Sequence, residues 1–171
     1  MSLNKSLIAG LLFIPALALA LPEDRQQPIN IRSDTADIDN KKGISIYRGD
    51  VIVTQGTTRI VGDTVTVLTS GQEVTKVTAQ GKKKRAYYEE LQANAQGTVQ
   101  AWGYTIHYSI KKDEIELIRD AQLTQQGDTF KGDKINYDLA KQTVNAKGSQ
   151  SQSDGGRVQM VIQPKQATTT K

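Results

Sequence analysis

Few residues in this 171-residue chain have side chains suited to catalysis. His107 is the single histidine, and there is no cysteine. A nucleophilic triad needs a hydroxyl or thiol and a carboxylate arranged around the imidazole, and nothing in the local pattern marks either. One imidazole without thiolates also supplies too few ligands for a metal centre. His107 therefore reads as a structural or surface residue, and no catalytic residue, metal or cofactor is expected. The pairs Gly49-Asp50, Gly62-Asp63 and Gly132-Asp133 recur at the entrances of alternating runs, where glycine and aspartate serve turns and bulges. Arg48-Gly49-Asp50 spells an adhesion-type tripeptide, but apolar residues flank it on both sides in "IYRGDVIV", unlike an exposed loop tip. The sharpest charge feature is "GKKKRAYY", with Lys82, Lys83, Lys84 and Arg85 ahead of Tyr87 and Tyr88. Such a run suits a phosphorylated lipid headgroup or single-stranded nucleic acid, or is simply a solvated loop. Trp102, the sole tryptophan, reads as core or interface packing.

The elements that must position these groups are strands. Val51 and Val53 alternate with Ile52 and Thr54, and Val65 and Val67 with Thr64 and Thr66. Tyr104, Ile106, Tyr108 and Ile110 continue the pattern, as do Ile115 and Leu117, and Ile135, Tyr137 and Leu139. Successive side chains of a strand point to opposite faces, so each set lines one side of a sheet. Only "AYYEELQANA" (86–95) admits a helix, and its adjacent tyrosines favour a strand at least as much. The fold class is all-β. Phe130 is the only phenylalanine beyond residue 20, so the interior falls to Val, Ile and Tyr. That composition fits a plain packed core or a looser one able to hold something apolar.

Residues 1–20, "MSLNKSLIAGLLFIPALALA", carry one lysine, an apolar run and Ala18-Leu19-Ala20. This is the three-part form of a secretory signal cleaved after Ala20, and the run is shorter than a bilayer span requires. The remaining 151 residues hold 21 basic and 18 acidic side chains, an excess too mild to argue for nucleic acid. They are expected to form one domain over 21–164 with a loose tail over 165–171. Export without disulfides is compatible with a bacterial periplasm.

Self-similarity adds a further constraint. "VTQGTTRIVGDTVTVLTSGQEVTKVTAQG" (53–81) resembles "TQQGDTFKGDKINYDLAKQTVNAKG" (124–148), and 101–123 repeats the outline with Tyr104 in place of the aspartate. Repeated hairpin-like units bury their apolar faces by stacking, which leaves the first and last strands with open edges.

Five segments carry a family resemblance: "QPINIRSD" (27–34), "GDVIVTQG" (49–56), "TIHYSI" (105–110), "LTQQGDTFKGDKINY" (123–137) and "GGRVQMVIQP" (155–164). In this order and combination the chain resembles the OstA-like family of periplasmic lipopolysaccharide-transport bridge proteins. The resemblance implies a single twisted antiparallel β-jellyroll with an apolar slot between two sheets. It implies stacking of copies head to tail, and docking to similar jellyrolls of inner-membrane and outer-membrane partners. Lipopolysaccharide would move along the slot by its lipid A acyl chains, with no chemistry catalysed and no nucleic acid bound. By matching motif positions, Ile29 and Ile31 fall near the N-terminal end of the slot, and Tyr87, Ile106, Tyr108 and Ile110 in its wall. Val51, Val53, Val65, Val67, Ile135 and Tyr137 are interior candidates by alternation alone. The expected docking edges are Ile29, Asn30, Ile31 and Arg32 at one end, and Arg157, Val158, Gln159, Met160, Val161 and Ile162 at the other. The basic run Lys82–Arg85 is heavier than the family pattern, and the tail is shorter. Two other readings compete: a β-filament with a solid interior, and a glycan- or nucleic-acid-binding sandwich that uses the basic run.

Overall fold

The alternating runs form strands. A computed structural model describes residues 24–92, 96–149 and 156–164; the expected signal (1–20) and tail (165–171) lie outside the described residues. After a 3₁₀ turn at Asp24–Gln26 come β1 (Asn30–Arg32), β2 (Thr35–Asp39), β3 (Ile44–Gln55), β4 (Thr58–Ser70), β5 (Glu73–Gln80) and β6 (Ala86–Leu91). Then follow β7 (Thr98–Gly103), β8 (Thr105–Ser109), β9 (Glu114–Gln125), β10 (Asp128–Asp138), β11 (Thr143–Lys147) and β12 (Gln159–Val161). The strand reading of 86–91 is therefore the one observed, while 93–95 lie outside the described residues.

The strands form one hydrogen-bonded network folded over a line of bends into two facing layers. β3, β4, β9 and β10 run through both. The first half of β3 pairs with β2 and its second half with β1. β4 pairs with β6 through Arg59–Val61 and with β5 from Thr64 onward. β9 joins β8 and then β7, and β10 joins β12 and then β11. One layer thus runs β2-β3-β4-β5-β8-β9-β10-β11, and the other β1-β3-β4-β6-β7-β9-β10-β12. Together they make a twisted antiparallel jellyroll.

The bends show what the glycines do. The β3–β4 register slips between Arg48 and Val51, where Gly49 and Asp50 take positive φ of 85° and 39°. The β9–β10 register slips opposite Gly132, where Arg119 and Asp120 take φ of 62° and 50°. Each is a bulge that turns its strand from one layer into the other. The Gly-Asp pairs therefore lie inside β3, β4 and β10 rather than at strand entrances, which corrects the sequence reading. At Gly132, which faces the second bulge, a Cβ would stand 2.7 Å from the carbonyl oxygen of Lys147. Backbone bonds stitch neighbouring bends together: Asp34 N–H to Arg48 O at 2.9 Å, Gly81 N–H to Tyr104 O at 2.9 Å, and Tyr104 N–H to Arg119 O at 3.0 Å.

Between the layers lies the core. Val65, Ile106, Ile115, Leu117 and Ile135 face it from one layer, and Val51, Tyr88, Val99, Ala101 and Leu123 from the other. The rings of Tyr88 and Tyr108 meet edge to face across the gap, 5.4 Å between centroids. Fully burying an aliphatic side chain of this size stabilises the fold by about 1.5–3 kcal/mol.

Candidate functional site

The core does not fill the whole gap. At the N-terminal end, β1, β3, β4, β5 and β8 enclose a cleft of about 220 Å³. Ile31, Val53 and Ile60 line it from one layer, and Tyr47, Val67, Val77 and Tyr108 from the other. Strand register accounts for this: Ile31 lies opposite Val53, and Val53 opposite Ile60, so all three side chains point inward. On the facing layer, Val67, Val77 and Tyr108 form one cross-strand row. Ile29, Gln55, Val74 and Ile110 also line the cleft, and they continue into a groove of about 530 Å³ that includes Arg25 and Lys111. An apolar floor with a polar rim of this kind can take a hydrocarbon chain whose other end stays in water.

Beyond β8 the described inward side chains, among them Tyr88, Leu117 and Leu123, are fully buried and close the gap, and tyrosine hydroxyls mark the seam. The Tyr88 hydroxyl donates to the Glu90 carboxylate. The Tyr137 hydroxyl donates to Gln125 Oε1 at 2.9 Å, joining one layer to the other. Burial holds the Tyr88 and Tyr108 hydroxyls well above the ordinary phenol range, with the Glu90 charge adding to the effect. Burial likewise raises the Glu90 carboxyl, while the Tyr88 hydroxyl and Arg25 oppose that shift. The 3₁₀ turn crosses the rim at this seam. Asp24 accepts from the Thr57 N–H at 3.0 Å, and Gln55 Nε2 donates to the carbonyls of Arg25 and Gln27 at 3.0 and 3.1 Å. Arg25 then pairs with Asp113 on the opposite layer, with the Tyr108 hydroxyl nearby.

The expected slot residues separate into groups. Ile29, Ile31, Val53, Val67, Tyr108 and Ile110 line the open cleft. Val51, Val65, Ile106, Ile135 and Tyr137 are packed core with at most 1% of their surface exposed. Tyr87 is misplaced by one residue: it lies on the outer face against Trp102, 5.2 Å between ring centroids, and Tyr88 is the residue that points inward. Pairing of Tyr88 with Ile60 and Ala101 fixes that parity, which two adjacent tyrosines alone cannot reveal. On the outer face the Tyr87 hydroxyl donates to Glu89 at 2.7 Å, and burial pushes it up to about 12. Sequence reasoning missed Tyr47, Ile60, Val74 and Val77, all within the same alternations.

The basic run lies elsewhere. Lys82, Lys83, Lys84 and Arg85 occupy the bend between β5 and β6. Arg85 Nη1 donates to the Asp120 carbonyl at 3.1 Å, and its Nε lies 3.6 Å from the Asp120 carboxylate. From Asp63, beside this bend, to the rim at Ser70 is seven residues of β4, roughly 20 Å at strand rise. The run is thus on the closed side of the fold and does not line the cleft. His107 bonds Thr78 Oγ1 through Nδ1 at 3.0 Å on the outer face, and burial lowers its basicity. Among the described residues no cluster of three or more His, Cys, Asp or Glu could hold a metal.

A two-layer jellyroll with an apolar cleft and open end strands is the architecture of a binding or carrier protein. The model of the family described as "LptA/(LptD N-terminal domain) LPS transport protein" matches residues 30–143, and the chain belongs to that family. The lipopolysaccharide export system protein LptH of Pseudomonas aeruginosa is 46% identical over 154 residues, covering 88% of this chain and 87% of its own. LptA of Escherichia coli K12, of the same description, is 36% identical over 166 residues, covering 97% and 87%. The crystal structure of P. aeruginosa LptH is described as the LptA homologous periplasmic component of the conserved lipopolysaccharide transport device. It superposes with a TM-score of 0.72 at 44% identity, covering 84% of this chain and all of that one.

Proposed function

We propose that this protein binds lipopolysaccharide by its acyl chains in the cleft and carries it through the periplasm from inner to outer membrane. It acts as a carrier and not as an enzyme. Residues 1–20 direct export and are removed, and 21–164 form the carrier domain. The cleft carries this reading: it is apolar, lies between layers and opens at the end of the sheet. Each acyl methylene kept from water is worth about 0.8 kcal/mol. A shared apolar path therefore removes the barrier that an aqueous crossing would impose.

The ends of the jellyroll support docking in series. Of the seven large hydrophobics exposed among the described residues, Ile29, Ile38, Val158, Met160, Val161 and Ile162 stand at the two terminal edges. Each layer has eight strands in strictly antiparallel order, so a copy translated along the sheet continues the alternation in both layers. Strand addition then supplies backbone hydrogen bonds, and a contact that does not close extends into a row. Asn30, Ile31 and Arg32 form one joining edge, and Arg157, Gln159 and their neighbours the other. Similar jellyrolls of the inner- and outer-membrane machinery fit the same edges. Displacement of a hydrophobic fluorophore by purified lipopolysaccharide, run beside concentration-dependent mass measurement, tests both parts. Displacement together with mass growth is expected. Mass growth without displacement indicates a filament without cargo, and no displacement overturns the carrier reading.

A further inference from the structure

The open cleft stops abruptly. Its lining comes from β1, β3, β4, β5 and β8 and neighbouring loops, and no residue of β6, β7, β9, β10 or β11 contributes. A conduit needs continuity from end to end, so something must part at this boundary. The group standing there is Arg25. Its turn is fastened to the rim of one layer through Asp24–Thr57 and Gln55. Its guanidinium crosses to Asp113 on the other. Near it stands Tyr108, the last strand residue of the cleft wall, whose ring packs on Tyr88, the first residue of the packed part.

We propose that Arg25 is an internal clasp: paired with Asp113 across the layers it limits the cleft to its N-terminal portion, and its release lets an acyl chain advance past Tyr108 and beneath Tyr88. The inference rests on the carrier reading above and adds where the chain is halted and by which residue. Arg25 keeps about half of its side chain exposed, and an exposed ion pair is weak, about 1 kcal/mol or less. It can therefore exchange without unfolding the layers. The partly buried Glu90 carboxyl on β6, in the layer to which the turn is fastened, gives the freed guanidinium a second partner.

The cleft volume makes the clasp measurable. At about 30 Å³ for each methylene-sized group, the 220 Å³ cleft takes about seven. In a homologous series of alkyl maltosides titrated below their micelle concentrations, affinity should rise about fourfold per methylene. In the wild-type protein the rise should slow sharply near eight carbons, where a longer chain must leave the apolar cleft for the groove rimmed by Arg25, Glu73 and Lys111. In Arg25→Gln and in Asp113→Asn it should continue through dodecyl and tetradecyl chains. Asparagine tolerates the positive φ of 57° at position 113. Lys83→Gln should keep the wild-type break and controls for loss of charge. A break at the same chain length in wild type and both clasp variants overturns the clasp, as does a wild-type series with no break. If octyl maltoside does not bind any variant, the cleft reading itself fails, a result separate from failure of the clasp.

Discussion

Ile31→Asp tests the cleft at a position where binding and folding can be separated. Ile31 sits in the short edge strand β1 opposite Val53, with its side chain directed into the cleft. It is only partly buried, so an introduced carboxylate stays hydrated while the cleft holds water. A cavity of 220 Å³ has room for about seven waters. The penalty arises when an acyl chain displaces that water and leaves the charge against hydrocarbon. Unpaired polar groups buried in proteins cost about 1–3 kcal/mol and charged groups more, so lipid binding should weaken by at least roughly 5-fold, and by about 150-fold at the 3 kcal/mol figure. Competition against a hydrophobic fluorophore at pH 7.5 measures it, with thermal melts of unliganded protein as the folding control. Acidification should restore part of the lost affinity, because protonation removes the charge. Lys83→Ala, on the closed side, should bind as wild type does. If Ile31→Asp binds lipopolysaccharide undiminished, or if Lys83→Ala loses more, the cleft is not where the lipid resides.

Two further outcomes concern stability. Leu117→Ala removes a side chain with no exposed surface and should cost about 2–5 kcal/mol in chemical denaturation, with lipid affinity unchanged where folded protein remains; a loss below 1 kcal/mol would contradict the packed reading of that half. Burial raises the folded-state value of Glu90 above its unfolded value, with Asp113 and Asp24 adding to the rise and the Tyr88 hydroxyl and Arg25 opposing it. Its contribution is therefore full below the unfolded carboxyl value of about 4.3 and is lost as pH rises through the folded value. Glu90→Gln should melt higher than wild type at neutral pH, with a flatter profile from the carboxyl range upward; an unchanged profile would show that the carboxyl is not desolvated.

The alternation of Val, Ile and Tyr made the strands and most of the inward faces legible, since period two is a local property. The bends were half legible. Gly49-Asp50 does form a bulge, but its place inside β3 depends on pairing with β4, and the matching bulge at Arg119-Asp120 contains no glycine. Tyr87 and Tyr88 show where local reading ends: either could face inward until the Ile60 and Ala101 pairings decide. The division between open cleft and packed core was also hidden, because Val53 and Val51 share one face of one strand yet only Val53 borders the cleft. Arg25 left no sequence signal at all, because its partner Asp113 lies 88 residues away. The basic run drew attention through charge density, a compositional property that says nothing about which side of the fold it occupies.

The central claim is that lipid passes along the inside of the jellyroll. Site-specific photocrosslinking in living cells tests it most directly, with the reactive side chain at Ile110 in the open cleft and, separately, at Lys83 on the closed side. Capture of lipopolysaccharide at Ile110 and none at Lys83 is the predicted result. Capture at Lys83 with none at Ile110 would place the lipid outside the cleft and contradict the account.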